Sequence, residues 1–171
     1  MKYVALAAAL TLPFGPVLAA GGGDSTPSKP QCKKGFVYDA STKKCLQADS
    51  SMDTDLLYET VRQLAYAGRY DDAQEVLAVM PQADDRTLTY LGFTTRKMGR
   101  VEEGMAYYAQ ALEVNPANIL ARSYMGQAFV EQGRMDEALE QLLNIRAYGG
   151  EGTWAEASLK KAIATGTTYN Y

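Results

Sequence analysis

The sequence predicts an all-α fold, a solenoid of helix hairpins closed by a final helix and preceded by a small cysteine-bridged pair of strands. Three observations predict it. A motif recurs as GRYDDAQ at 68–74, GRVEEGM at 99–105 and GRMDEAL at 133–139, the second and third copies 34 residues apart and the first two 31 apart. A period of this size is the signature of a repeat architecture. Between the copies, apolar residues fall at helical spacing, and ahead of them Cys32 and Cys45 flank a run of strand and turn formers.

The chain begins MKYVALAAALTLPFGPVLAAGGG, with one charge at Lys2, an apolar run from Tyr3 to Leu12, a Pro13/Pro16 break and then small residues. This is the layout of a secretory signal over 1–20, cleaved after Ala19 or Ala20. The run is too short to span roughly 30 Å of hydrocarbon comfortably, so no stable membrane insertion is expected after cleavage, and a periplasmic or secreted location follows. Residues 21–31, GGGDSTPSKPQ, have linker composition.

Charge is divided unevenly. Residues 21–48 hold five lysines against two aspartates, whereas 49–171 hold 11 basic and 18 acidic residues. A body of net charge −7 repels phosphate, which argues against nucleic acid as a partner. There is no histidine, so the usual neutral-pH proton shuttle and the commonest metal ligand are missing. No nucleophile elbow, phosphate loop or dinucleotide fingerprint occurs either. No enzyme activity, cofactor or metal is expected.

In 32–48, Phe36-Val37-Tyr38 has strand propensity, Asp39 to Thr42 has turn character, and Lys43 to Leu46 can run back alongside. In an exported chain an even pair of cysteines reads as one disulfide, Cys32 to Cys45. Cys32, Gly35, Val37, Tyr38, Asp39 and Cys45 resemble half of a peritrophin-type chitin-binding motif, a resemblance that implies sugar binding.

From Met52 the period becomes helical. Asp53 is a candidate N-cap, and Leu56, Leu57, Val61, Leu64 and Ala65 form one face. Gly68, Gly99 and Gly133 stop successive helices, because glycine enters the left-handed cap conformation without steric cost. Asp71-Asp72, Glu102-Glu103 and Asp136-Glu137 then fall in the first turn of the next helix, where the dipole favours them. Ala73, Gly104 and Ala138, with Gly92 and Gly126, let paired helices approach closely. Residues 151–165 supply a capping helix whose Trp154, Ala157, Leu159, Ala162 and Ile163 are expected in the core, either on its own stack or swapped into a neighbour. Residues 166–171 are a tail.

With these positions in frame, the chain resembles the tetratricopeptide repeat. Leu88, Leu91, Gly92, Gly99, Tyr108, Ala111 and Pro116 match in 85–118. Met125, Gly126, Phe129, Ala138, Leu142 and Ile145 match in 119–152, and Leu57, Leu64, Ala73, Leu77 and Met80 match in a shortened 54–84. The resemblance implies a concave groove lined by the first helix of each repeat, through Tyr58, Arg62, Tyr66, Arg86, Tyr90, Phe93, Arg96, Lys97, Tyr124 and Gln127. A basic, aromatic trough of this kind suits an acidic or extended peptide. Together with export, it implies a non-enzymatic adaptor or scaffold for a protein or peptide partner in a cell-envelope assembly, with homo-oligomerisation left open. The alternative makes the basic hairpin a glycan or wall anchor and the stack a spacer.

Overall fold

The computed structural model describes residues 31–168. The expected signal peptide, nearly all of the expected linker and residues 169–171 lie outside the described residues.

Strands β1 (Phe36–Asp39) and β2 (Lys44–Gln47) pair antiparallel, with Phe36 opposite Gln47 and Asp39 opposite Lys44. The Cys32–Cys45 disulfide closes them across a Cα separation of 5.7 Å. Asp39 holds the turn, accepting hydrogen bonds from the Ser41 amide and hydroxyl and from the Thr42 hydroxyl at 2.7–2.8 Å. Those two hydroxyls pull its carboxyl down to about 2. Val37 is fully buried and shares a core with Leu57 and Val61 of the first helix. Lys34 reaches Glu75 at 3.2 Å, and Arg69 donates to the Cys32 carbonyl at 2.9 Å. The strand hairpin is therefore fastened over one end of the helical stack.

Closing a loop of this size contributes roughly 3 kcal/mol in the chain-entropy model. In the Cys32→Ser/Cys45→Ser variant, amides of 32–48 should lose hydrogen-exchange protection by about a hundredfold or more, while the helices keep theirs. Equal protection before and after would show that Val37 and Arg69 hold the hairpin without the bridge.

Among the described residues seven helices follow: α1 (Thr54–Tyr66), α2 (Tyr70–Leu77), α3 (Asp85–Lys97), α4 (Val101–Val114), α5 (Ile119–Glu131), α6 (Met135–Ala147) and α7 (Trp154–Thr165). Their starts are of two kinds. The odd-numbered helices carry side-chain caps, in which Asp53, Asp84, Asn118 and Thr153 accept from amides of the first turn. The even-numbered helices start without a side-chain cap, after Gly68, Gly99 and Gly133 at φ 72°, 88° and 72°. There the arginine of each GR pair bridges to the second acid of the motif, Arg69 to Asp72 at 2.6 Å, Arg100 to Glu103 at 3.0 Å and Arg134 to Glu137 at 2.9 Å. The acids thus serve the helix dipole and also clamp the turn.

Helices α1, α3, α5 and α7 follow one another as an inner row, and α2, α4 and α6 each pack between consecutive inner helices. The closest crossing joins α3 to α4. A Cβ on Gly104 would lie 2.8 Å from the Gly92 carbonyl oxygen and 3.0 Å from the Arg96 amide nitrogen. Polar stitches fix the register between repeats: Gln74 donates to the Thr94 and Thr95 hydroxyls, and Asn118 to Asp85 and Thr89. Helix α5 is buried over nearly its whole circumference, from Ala121 to Tyr124 and from Gly126 to Val130. On the outer side of α6, Met135, Leu139 and Leu143 form an exposed stripe at four-residue spacing.

Helix α7 departs from expectation in its rotation. It lies on α5 and α6 of its own chain, but Trp154 is 42% exposed and Ala157 is exposed, while Ala155, Ser158, Leu159 and Ala162 face inward. Gly126 leaves a hollow that Leu159 fills, and the Ser123 and Ser158 hydroxyls meet at 2.9 Å. These two contacts set the helix rotation and turn the indole onto the inner face.

Candidate functional site

Four aromatic rings, one taken from each inner helix, touch in sequence. Tyr58 of α1 meets Tyr90 of α3 at 5.5 Å and 81°, Tyr90 meets Tyr124 of α5 at 6.2 Å and 77°, and Tyr124 meets Trp154 of α7 at 6.1 Å and 73°. All three contacts are edge-to-face, the geometry that places a positive ring edge on a negative ring face. Phe93 lies 4.8 Å from Tyr124, and the Tyr66 and Tyr90 hydroxyls are 3.3 Å apart.

The ten groove positions split into two groups. Tyr58, Arg62, Tyr66, Arg86 and Lys97 are partly exposed, whereas Tyr90, Phe93, Arg96, Tyr124 and Gln127 are buried. The second group is packed inside the stack rather than lining an open surface, because rings at equivalent places on successive helices pack against one another. Burial pushes the Tyr58 and Tyr90 hydroxyls above their ordinary range, and for Tyr90 the bond to Tyr66 adds to the effect. The rim is cationic. Arg86 sits 4.9 Å over the Tyr58 ring while pairing with Asp55 at 2.7 Å, and Arg62 sits 5.5 Å over Tyr66 while pairing with Glu59 at 3.0 Å.

Arg96 is only 3% exposed. Its Nη1 donates to Glu131 at 2.5 Å and its Nε approaches the Tyr108 hydroxyl at 3.5 Å, while Nη2 has no hydrogen-bond partner. Lys97 shares Glu131 at 3.6 Å, and its ammonium titrates low because it is partly buried beside Arg96. These two cations are tied to α5, so the accessible positive charge of the trough resides in Arg62 and Arg86.

Two hollows adjoin this face. A recess of about 340 Å³ opens at one edge of the trough between Tyr58, Arg86, Thr89, Asn118 and Leu120. A cavity of about 320 Å³ lies under the strand hairpin, between Phe36 and Tyr38 on one side and Leu56, Glu59, Gln63 and Leu64 on the other. Sequence reasoning missed the cavity, since its walls come from separate elements. It also missed Trp154 as a trough residue, although the Gly149 to Gly152 break before it marks the start of another inner helix. Among the described residues, no group of three or more Cys, Asp or Glu side chains could hold a metal ion, and no helix is long and apolar enough to cross a membrane.

An inner row of helices with an aromatic layer and a cationic rim, backed by an outer row, defines a repeat protein of helix hairpins. Residues 96–164 match the tetratricopeptide repeat family model. Over that span the chain is similar to tetratricopeptide repeats. The fold resembles SycD, a type III secretion translocator chaperone of Yersinia enterocolitica, with a TM-score of 0.54 and 16% identity over 66% of this chain and 84% of that one. It also resembles SycD in complex with a peptide of the translocator YopD, with a TM-score of 0.52 and 18% identity over 65% of this chain and 86% of that one. At such identities the likeness is one of fold. No curated protein matches the sequence.

Proposed function

We propose that this chain is an exported, non-enzymatic adaptor that holds an extended protein or peptide segment in its inner trough, within a cell-envelope assembly. The ladder Tyr58–Tyr90–Tyr124–Trp154 carries the reading. It fixes two accessible rings, Tyr58 and Trp154, on a buried aromatic layer, flanked by guanidinium groups that can bond a peptide's carbonyls or carboxylates. The peptide held by SycD supports the same use of a similar fold. The apolar leader and the disulfide are consistent with export, and the acidic body argues against nucleic acid.

The test reverses the accessible cations. Arg62→Glu/Arg86→Glu removes two half-exposed groups whose ion pairs are on the surface, so folding should be unaffected. Affinity for a partner captured from envelope extract should fall by about tenfold or more, since each desolvated charged contact is worth on the order of 1.5–3 kcal/mol. Unchanged capture would remove the trough from consideration. Self-association through the exposed α6 stripe belongs to the same proposal. Light scattering of Leu139→Lys/Leu143→Lys beside the unaltered chain checks it, and identical monomers would exclude it.

A second reading is favoured by the cavity under the hairpin, where Phe36 and Tyr38 face Glu59 and Gln63, a pairing of ring faces and amide or carboxylate groups suited to a sugar. Tyr38→Ala should then abolish retention on wall polymer and leave partner capture intact. Retention unaltered by Tyr38→Ala would dismiss the glycan reading.

A further inference from the structure

We propose that the strand hairpin docks this chain, end-on, against an anionic phospholipid surface, whatever the trough holds. Residues 32–48 contain four lysines and one acid, Asp39, while the helical body that follows is acidic. Lys34 is taken up by Glu75 at 3.2 Å. The other three pair with no acid among the described residues. Lys33 stands 4.2 Å over the Phe36 ring, and the side chains of Lys43 and Lys44 are exposed. Asp39 turns its carboxylate to Ser41 and Thr42 rather than to Lys44, the residue opposite it in the ladder.

The fold gathers these three cations into one patch. Lys33 and Lys44 adjoin the bridged cysteines, whose Cα atoms are 5.7 Å apart, so their own Cα atoms are at most about 13 Å apart. Lys43 follows at the turn, with φ 56°. Two features favour a lipid surface over a soluble polyanion. Strand β2 is exposed throughout and carries Leu46 two residues from Lys44, with Leu46 39% exposed. A leucine and the lysine stems can enter the boundary layer of a bilayer while the ammonium groups stay among the headgroup phosphates. The body, with 11 basic and 18 acidic residues, is repelled by the same surface and turns away from it. The contacts of Val37 with Leu57 and Val61, of Arg69 with Cys32 and of Lys34 with Glu75 join the docked hairpin to the stack.

Co-sedimentation with vesicles of phosphatidylglycerol and phosphatidylcholine in equal parts tests this, with pure phosphatidylcholine vesicles and soluble polyphosphate as the other arms. The chain from Gly21 onward is used, which keeps every described residue and lacks the apolar leader. It should be retained on the mixed vesicles and not on the neutral ones. Each lysine near such a surface is worth about fivefold, so Lys33→Gln/Lys43→Asn/Lys44→Gln should lower the partition coefficient about a hundredfold. Asparagine at 43 tolerates the positive φ, and thiol titration checks that the bridge is closed. Leu46→Ser should lower retention on the mixed vesicles about threefold or more, through the leucine surface still open to burial, and leave polyphosphate binding unchanged. Equal retention of the triple variant and the unaltered chain, or retention of neither, would overturn the proposal. Polyphosphate bound as tightly per phosphate as the mixed vesicles, with Leu46→Ser silent in both arms, would assign the lysines to a polyanion without a bilayer and overturn it as well.

Discussion

Gly104→Ala should destabilise the protein by about 2 kcal/mol, read as a lower urea midpoint at unchanged slope. Alanine is the better helix former by up to about 1 kcal/mol, so propensity alone predicts the opposite sign. Packing wins because the added methyl would meet the Gly92 carbonyl oxygen at 2.8 Å and the Arg96 backbone nitrogen at 3.0 Å. Neither is a side chain that can swing aside, so α3 and α4 must separate along their length. Gly126→Ala is the control. Its new methyl would press on the Leu159 methyls at 2.6 Å and 2.8 Å, which can change rotamer. The loss there should be less than half as large, and equal losses would show that both glycines act through backbone flexibility instead of close approach.

Glu131→Ala should cost about 2 kcal/mol as well, by a different route. It strands the Arg96 guanidinium, whose side chain is 1% exposed, among α3, α4 and α5. Removing one partner of a fully buried pair costs roughly 3–5 kcal/mol, and the smaller figure allows for a Glu131 side chain that is about a third exposed. Arg96→Met/Glu131→Leu, which removes both charges, should lie within about 1 kcal/mol of the unaltered protein, and a deficit equal to that of Glu131→Ala would refute the stranded-charge account. The pair also makes stability depend on pH. Burial raises the Glu131 pKa, but the Arg96 charge, the bonds from Thr168 and Arg96 and the Lys97 charge outweigh it, and the carboxyl ends below its ordinary 4.5. A depressed carboxyl stabilises the fold above its unfolded pKa, and that contribution is lost as pH falls through the lower folded value. Acid unfolding as the pH falls below the ordinary carboxylate range should therefore be shallower in Arg96→Met/Glu131→Leu than in the unaltered chain.

Local features were legible in the sequence because their causes lie within a few residues. Gly68, Gly99 and Gly133 end helices through their own backbone freedom, Asp53 caps α1 from the adjoining position, and Cys32 and Cys45 have only each other. The close approach of α3 and α4 was legible too, since glycine at both 92 and 104 leaves two backbones nothing between them. What the sequence could not convey is which groove positions stay open. Tyr90 and Tyr124 are buried by rings 32 and 34 residues away in the chain from their partners Tyr58 and Tyr90, so their burial is a property of the stack. Arg96 looks like a groove cation in sequence and is a buried ion-pair member in space, because Glu131 belongs to the next inner helix. Trp154 was misplaced for the same reason, its rotation being set by Leu159 against Gly126.

The strand hairpin has a consequence for assembly. Solenoids lengthen by stacking one raw end on another, and a chain with two complementary raw ends can add copies without limit, as a fibre does. Here Val37, Lys34 and the Arg69 bond to Cys32 seal the α1 end with a covalently closed plug. Away from that plug, the outer side of α6 exposes Met135, Leu139 and Leu143. If copies pair through that stripe as proposed above, the plugged α1 end offers no raw surface from which the pair could be extended.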